Sequence, residues 1–372
     1  MTDRPLAGNP THDAHYDHPH SRKGFFTDTS ICIGCKACEV ACKEWNRNPA
    51  DSNYELLESS YDNTGGLGAN TWRHVAFIEQ DDRQIEKARE SGRSLVGLGM
   101  PRVGPPEGTT SRGTVPVTQA SSGGCSSGGC GCGDAGGADG TTPDSSGASA
   151  SSGSSVHPDT PDFRWLMSSD VCKHCTNAGC LDVCPTGALF RTEYGTVVVQ
   201  DDICNGCGTC VAGCPFGVIE RRSDGVFEPK NQRNSPPMPD SVKVPEHGVA
   251  QKCTLCYDRM KNDETPACAQ ACPTTSIKYG DRDSMVATAR ERVTQLRDQG
   301  QTEARLYGAN PKDGVGGTGS VFLLFDEPET YGLPPDPRVP TADLPDMFKR
   351  AGMAVAGMLA VGAVAFASGG RR

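Results

Sequence analysis

Sixteen of the nineteen cysteines lie in four short groups, and their spacing constrains the fold of this chain more than any other feature. The first and third groups read C-x2-C-x2-C-x3-C, the second has a longer middle gap, and the fourth contains a longer insertion. A proline follows the last cysteine of three groups, whereas Lys43 follows the last cysteine of the first group. In chain order the groups are Cys32, Cys35, Cys38 and Cys42; Cys172, Cys175, Cys180 and Cys184; Cys204, Cys207, Cys210 and Cys214; and Cys253, Cys256, Cys268 and Cys272.

This spacing is typical of the cysteine ligands of 4Fe–4S clusters. In a bacterial two-cluster ferredoxin, three closely spaced cysteines hold one cluster and the fourth binds the other cluster. Four groups therefore predict two cluster pairs, hence four 4Fe–4S clusters, and a chain that passes electrons. Structural zinc is the main alternative, but it needs only two cysteine pairs and no fourth cysteine before a proline. A disulfide framework is expected in short secreted chains rather than in 372 residues.

The crossed arrangement of ligands predicts which cysteines share a cluster. The segment Cys180–Pro185 is repeated as Cys210–Pro215, and the β-branched run Gly195–Gln200 between them fits a hairpin strand of a two-cluster module. The second and third groups should therefore form one module, and the first and fourth groups another. The predicted ligand sets are set I (Cys32, Cys35, Cys38 and Cys272), set II (Cys42, Cys253, Cys256 and Cys268), set III (Cys172, Cys175, Cys180 and Cys214) and set IV (Cys184, Cys204, Cys207 and Cys210).

Composition and motifs argue against several other functions. The formal net charge is −10 and the sequence has no basic stripe, so nucleic acid is not an expected partner. Only 35% of the residues are hydrophobic, which predicts a core organised largely by metal ligation. No Ser/His/Asp or paired-carboxylate constellation stands out, so no catalytic residue is predicted. Gly314–Gly317 is expected to be an ordinary loop before the strand Val321–Phe325, because no phosphate-loop lysine and serine follow it.

The two ends of the chain differ in character. Residues 1–24 are polar and show no secretory signal; their histidines could bind metal, but a disordered tail is the simpler expectation. Near the other end, the uncharged run Ala351–Ala367 only just crosses a hydrocarbon core, which predicts a single transmembrane helix. A buried soluble helix and an interfacial anchor are the alternatives, and basic residues on both flanks leave the orientation undecided. The histidines of the first segment are His12, His15, His18 and His20.

The predicted fold class is α+β, with two tandem bacterial-type two-cluster ferredoxin-like modules, a Gly/Ser-rich insert and a C-terminal transmembrane helix. Cys125, Cys130 and Cys132 lie in the insert and lack a fourth ligand, so they are expected to be incidental thiols. The predicted segments are the polar tail (1–24), the first part of the first module (25–103), the insert (104–160), the second module (161–222), the second part of the first module (223–280), a helix–strand extension (281–346) and the membrane anchor (347–372).

Two local elements are predicted from periodicity and residue type. Residues 71–78 favour a strand. Asp283–Gln299 reads as an amphipathic helix capped by Asp283 and stopped at Gly300. The apolar face of this helix should consist of Val286, Ala289, Val293 and Leu296.

Residues beside the cysteines are candidates for adjusting reduction potentials. Glycines next to the cysteines let backbone amides approach the sulfurs, where hydrogen bonds raise the potential. Neighbouring lysines could act in the same direction through charge, or could equally be solvated surface residues. The glycines are Gly34, Gly206 and Gly208, and the lysines are Lys36, Lys173 and Lys252.

The segment Ile31–Asn46, ICIGCKACEVACKEWN, closely resembles the first ligand motif of the iron–sulfur (beta) subunit of membrane-bound respiratory formate dehydrogenase. Lys252–Pro273, Gly314–Thr318 and Tyr331–Pro334 resemble the same family. The cysteine motifs alone would also fit the iron–sulfur subunits of dimethyl sulfoxide, polysulfide or nitrate reductases, or of a hydrogenase. The region after the fourth motif and the C-terminal helix favour formate dehydrogenase.

The resemblance implies a non-catalytic electron-transfer subunit with two kinds of partner. A molybdopterin catalytic (alpha) subunit, containing molybdenum or tungsten, would oxidise formate. A membrane cytochrome b (gamma) subunit beside the C-terminal helix would receive the electrons and reduce quinone. The chain would be a single-pass protein of the cell membrane, with its bulk on the extracytoplasmic side. The Gly/Ser insert is not part of the family pattern.

Overall fold

The computed structural model describes residues 10–11, 14, 16–49, 65–97, 160–222 and 248–369. Nearly all of the predicted insert, including Cys125, Cys130 and Cys132, lies outside the described residues, as do His12 and His15.

The described residues form ten strands, eight α-helices and two short 3-10 helices, Thr29–Ile31 and Pro328–Tyr331. The strands are β1 Lys23–Asp28, β2 Arg73–Asp81, β3 Phe163–Val171, β4 Leu189–Arg191, β5 Val197–Val199, β6 Glu220–Arg221, β7 Ala250–Gln251, β8 Ile277–Asp281, β9 Arg305–Tyr307 and β10 Ser320–Leu324. The helices are α1 Ala37–Trp45, α2 Asp82–Gly97, α3 Gly179–Asp182, α4 Thr209–Gly213, α5 Tyr257–Met260, α6 Ala267–Gln270, α7 Arg282–Asp298 and α8 Leu344–Gly369.

A four-stranded sheet in the order β8-β1-β10-β9 joins distant parts of the chain. Strand β1 pairs parallel with β10 and antiparallel with β8, and β10 pairs antiparallel with β9. Residues 281–346, the predicted helix–strand extension, contribute two strands to the sheet that contains the start of the first module.

The two faces of this sheet bury different cores, because successive side chains of a strand point in opposite directions. Phe26, Val321 and Leu323 pack with α7, whereas Phe25 and Phe322 belong to the larger core that contains the cysteines. The sheet thus separates a conventional aliphatic layer from the layer that contains the cysteines.

Strands β2 and β3 form an antiparallel ladder along their whole length, from the pair Arg73–Val171 to the pair Asp81–Phe163. The sequence predicts a strand over residues 71–78, which the structure shows shifted to Arg73–Asp81. The ladder places β3, at the start of the predicted second module, directly against the first module.

Helix α7 has the buried face that its periodicity predicts, consisting of Val286, Ala289, Val293 and Leu296. The cap differs from the prediction. The helix begins at Arg282, immediately after β8 ends at Asp281, so Asp283 lies inside the first turn and cannot cap it. Gly300, with φ of +89°, follows the end of the helix as predicted.

The cysteine groups share one local design. The third cysteine of each group is the second residue of a helix, at Cys38, Cys180, Cys210 and Cys268. Helices α3, α4 and α6 end after four or five residues, just before the cysteine–proline pairs, because the residue before a proline avoids helical geometry. Lys43 replaces that proline in the first group, and α1 continues to Trp45.

The described part of the predicted polar tail packs against the second module. The ring of His20 stacks on Tyr194 with centroids 4.6 Å apart. The Arg22 guanidinium donates to Thr176 Oγ1 at 2.9 Å and to the His174 carbonyl at 3.0 Å. These contacts hold residues that composition alone assigns to a disordered tail.

Helix α8 is longer than the apolar run in the sequence. Its candidate membrane span, Leu344–Ala367, has 24 residues, which is about 36 Å at 1.5 Å per residue and enough to cross a hydrocarbon core. None of that stretch is buried against the rest of the chain, and Phe366 is 88% exposed. The polar residues before the apolar run also adopt the helix, and they add the length that the run alone lacks.

Candidate iron–sulfur ligand sites

The four cysteines of set I line one cavity. Cys32, Cys35, Cys38 and Cys272 line one small pocket, together with side chains that include Val75 and Ser169. The first three come from the loop and helix after β1, and Cys272 comes from the turn after α6. Gly34, with φ of +67°, turns the chain between the first two cysteines, and its amide donates to Cys32.

The cysteines of set III line a second cavity. Cys172, Cys175, Cys180 and Cys214 line one small pocket, which also includes Pro215. Burial raises the pKa of Cys180 to about 12, and the charges of Cys172 and Cys214 act in the same direction.

Sets II and IV are brought together in the same crossed manner. Burial raises the pKa of Cys42 well above its usual range, and the charges of Cys253, Cys268 and Cys256 raise it further. Burial also raises the pKa of Cys210 to about 11, with added repulsion from its set IV neighbours. Those neighbours are Cys204, Cys184 and Cys207.

The sets lie in a row from I to IV. Cys38 of set I is close enough to Cys268 of set II for the charge of Cys268 to raise its pKa. The charge of Cys172 of set III likewise raises the pKa of Cys253 of set II. The charge of Cys210 of set IV raises the pKa of Cys180 of set III. Among the cysteines, the two modules therefore meet where set II lies beside set III.

The two ends of the row reach the surface. Cys35 of set I and Cys207 of set IV are exposed, whereas Cys253, Cys256 and Cys268 of set II are buried. Exposed apolar side chains surround both ends, with Ile33 and Val40 near set I and Ile203 and Val211 near set IV.

The donor sets fit a multi-iron cluster better than a single ion. A zinc ion holds each thiolate at about 2.3 Å, so its four sulfurs must nearly touch. Among the described residues, no group of three or more His, Cys, Asp or Glu side chains converges in that way. The four cysteines of set I instead line one pocket and the four of set III another, and all sixteen cysteines are free of disulfides.

Two of the three candidate lysines are buried. Lys173 and Lys252 are 1% and 2% exposed, so neither is a solvated surface lysine, whereas the side chain of Lys36 remains 21% exposed. Lys252 Nζ donates to the carbonyls of Val197 and Cys253, which places its charge between sets II and III.

The sequence does not reveal two further residues beside set I. Arg73 is completely buried under Phe25, with the guanidinium carbon 4.8 Å from the ring centroid. It contacts Ser169, whose hydroxyl lies 3.2 Å from Cys38 Sγ. The only sign of this pair in the sequence is an arginine within a predicted strand. That arginine does not indicate the contact with Ser169, which lies beyond the insert.

Comparison with known proteins identifies an iron–sulfur family. The 4Fe–4S dicluster domain family matches residues 163–232 and 228–282. The formate dehydrogenase iron–sulfur subunit of Haemophilus influenzae is 30% identical over 318 residues, covering 84% of this chain and 68% of that protein. The nitrate-inducible formate dehydrogenase iron–sulfur subunit of Escherichia coli is 29% identical over 321 residues, covering 85% and 73%.

The chain belongs to the family of formate dehydrogenase iron–sulfur subunits. As an iron–sulfur subunit it binds 4Fe–4S clusters and transfers electrons rather than catalysing the oxidation itself, as the cysteine spacing predicts. A thiosulfate reductase electron transfer subunit from Salmonella typhi is 40% identical, but over only 110 residues, which are 29% of this chain and 46% of that protein. The formate dehydrogenase relationship therefore covers far more of this iron–sulfur subunit.

Proposed function

We propose that this chain binds four 4Fe–4S clusters in sets I to IV and conducts electrons from a formate-oxidising catalytic subunit to a quinone-reducing membrane subunit. The observation that carries the proposal is the row of crossed cysteine sets between two exposed ends. When bound, the clusters accept and release electrons one at a time. The alternative is the same role for another molybdopterin oxidoreductase, such as a dimethyl sulfoxide, polysulfide or nitrate reductase, or for a hydrogenase.

The residues of the chain prepare the sites in three ways. The thiols are held by short helices and proline turns, so each set is preorganised by the backbone. Burial keeps water away from set II, where electrostatic interactions are strong because the dielectric constant is low. Metal binding requires deprotonated thiols, so iron must displace the protons that burial retains on Cys180 and Cys253.

The C-terminal segment favours set IV as the membrane-facing end. Before α8 begins, Thr341 Oγ1 donates to Asp182 Oδ2 at 3.1 Å. The same segment packs on α3, where a β-carbon on Gly179 would lie 3.0 Å from Pro340 Cδ. Helix α8 therefore starts near α3, which carries Cys180 of set III and is followed by Cys184 of set IV. We propose that the membrane cytochrome b binds near set IV and the catalytic subunit, with its molybdenum or tungsten pterin, binds near set I.

Metal analysis and an activity assay together test this function. The purified complex should contain about sixteen iron atoms in this subunit, and formate should bleach its absorbance near 400 nm. If the protein is brown but purifies without a formate-oxidising subunit and is not bleached by formate, it serves another oxidoreductase. A colourless protein with zinc would contradict both.

A pair of matched substitutions tests the assignment of the two ends. Val40 is 58% exposed and lies on α1, two residues after the third cysteine of its group. Val211 is 37% exposed and lies on α4, directly after the third cysteine of its group. A charge at an apolar contact loses affinity, so Val40→Asp should weaken binding of the catalytic subunit about tenfold, or about 1.4 kcal/mol. Val211→Asp should spare that binding and weaken the membrane subunit instead. Affinity measurements with each purified partner distinguish these results, and the reverse pattern would exchange the two ends.

A further inference from the structure

Arg73 carries a buried charge that protein carboxylates do not neutralise. It is 1% exposed in strand β2, and among the described residues no carboxylate forms an ion pair with it. Within the same part of the chain, its Nε and Nη2 atoms have no hydrogen-bond partner. A buried cation of this kind is unfavourable unless negative charge lies nearby.

The nearest negative charges are cysteine ligands. Burial alone lowers the pKa of Arg73, but the charges of Cys268, Cys38 and Cys253 raise it above its ordinary value. Cys38 belongs to set I, and the other two belong to set II. Arg73 therefore lies between the first two sets, where the thiolates balance its charge.

Ser169 connects Arg73 to one ligand sulfur. Arg73 Nη1 donates to Ser169 Oγ at 2.9 Å, and Ser169 Oγ lies 3.2 Å from Cys38 Sγ. Ser169 is 1% exposed and lines the cavity of set I. A ligating cysteine has lost its proton, so within this pair only the serine hydroxyl can donate. Because Arg73 donates to the serine oxygen, the hydroxyl proton is free to point at the sulfur.

We propose that Ser169 and Arg73 are positioning residues that raise the reduction potential of the cluster at set I, an inference that rests on the proposed function. The hydroxyl stabilises the extra negative charge of the reduced state through a hydrogen bond to Cys38. Arg73 fixes the hydroxyl and places a positive charge beside the ligand thiolates. Its charge also acts on set II, because it faces Cys253 and Cys268.

Redox titration of the holoprotein, followed by electron paramagnetic resonance, tests the proposal. The signal of set I is first identified by its loss in Cys35→Ala. Ser169→Ala should change the one-electron reduction equilibrium of set I about tenfold, a fall of about 59 mV, and leave set II unchanged. Arg73→Gln should lower the potentials of both sets, whereas Arg73→Lys, which keeps the charge, should lower them less.

Ser168 and Ser169→Thr provide the controls. Ser168 is the adjacent residue of β3, is also buried, and points to the opposite face, so Ser168→Ala should leave every potential unchanged. Ser169→Thr keeps the hydroxyl and should keep the potential of set I. Unchanged potentials in Ser169→Ala, with a full complement of iron, would overturn the proposal, as would an equal shift in Ser168→Ala. Absence of iron from the unmodified protein would instead overturn the proposed function.

Discussion

Replacing Cys42 by alanine is expected to interrupt electron transfer in the middle of the row while the protein remains folded. Alanine is the best helix former, so the substitution should preserve α1. It removes a ligand of set II, the buried set through which the first module meets the second. Formate-dependent quinone reduction should fall by about two orders of magnitude, or about 2.7 kcal/mol of activation free energy.

Three measurements distinguish this result from general damage. Direct reduction of an artificial dye by the catalytic subunit should continue, because it does not require set II. Iron content should fall by up to a quarter, the share of one cluster in four. Cys125→Ala is the matched control, since this cysteine belongs to none of the sets and its loss should change neither iron nor activity. If Cys42→Ala has a lower iron content but still reduces quinone at the full rate, set II does not carry the electrons.

Removal of residues 344–372 is expected to release the chain from membranes. The truncation deletes α8, the one described helix that is long and apolar enough to cross a bilayer, and leaves the packed contacts of Thr341 in place. When the chain is expressed without its partners, the full chain should resist carbonate extraction and the truncated chain should be soluble. The 4Fe–4S absorbance should be the same in both.

A variant of α8 separates anchoring from recognition of a partner helix. Gly352, Ala356 and Ala360 recur every four residues, a pattern that permits close helix packing in membranes. Leucine at all three positions should keep the chain in the membrane but weaken its association with the membrane subunit. If the truncated chain stays membrane-bound on its own, α8 is not the anchor.

The cysteine pattern predicts most of the site because ligand spacing is a local property of the sequence. The four cysteine groups follow directly from it, whereas the helix at each third cysteine and the extension of α1 to Trp45 are seen only in the structure. The crossed sets remain a prediction that the cavities at sets I and III support.

Long-range strand pairing is what the sequence does not reveal. Nothing in the local pattern indicates that β1 lies beside β10, or that Ser169 lies beside Val75 across the insert. Ser169 and Arg73 reach Cys38 only because of that register, so sequence inspection finds the glycines and lysines next to the cysteines but misses this pair. The length of α8 is also not evident from the sequence, because the charged residues within 344–350 precede the apolar run but belong to the same helix.

The interleaved order of the two modules gives them different times of completion during synthesis. Sets III and IV are complete once residue 214 has left the ribosome, whereas sets I and II require Cys268 and Cys272. The sheet beneath the first module closes later still, because β1 needs β10 as its parallel neighbour. We therefore expect sets III and IV to assemble first. Strand β1, near the beginning of the chain, should remain unpaired with β10 until nearly all of the chain has been translated.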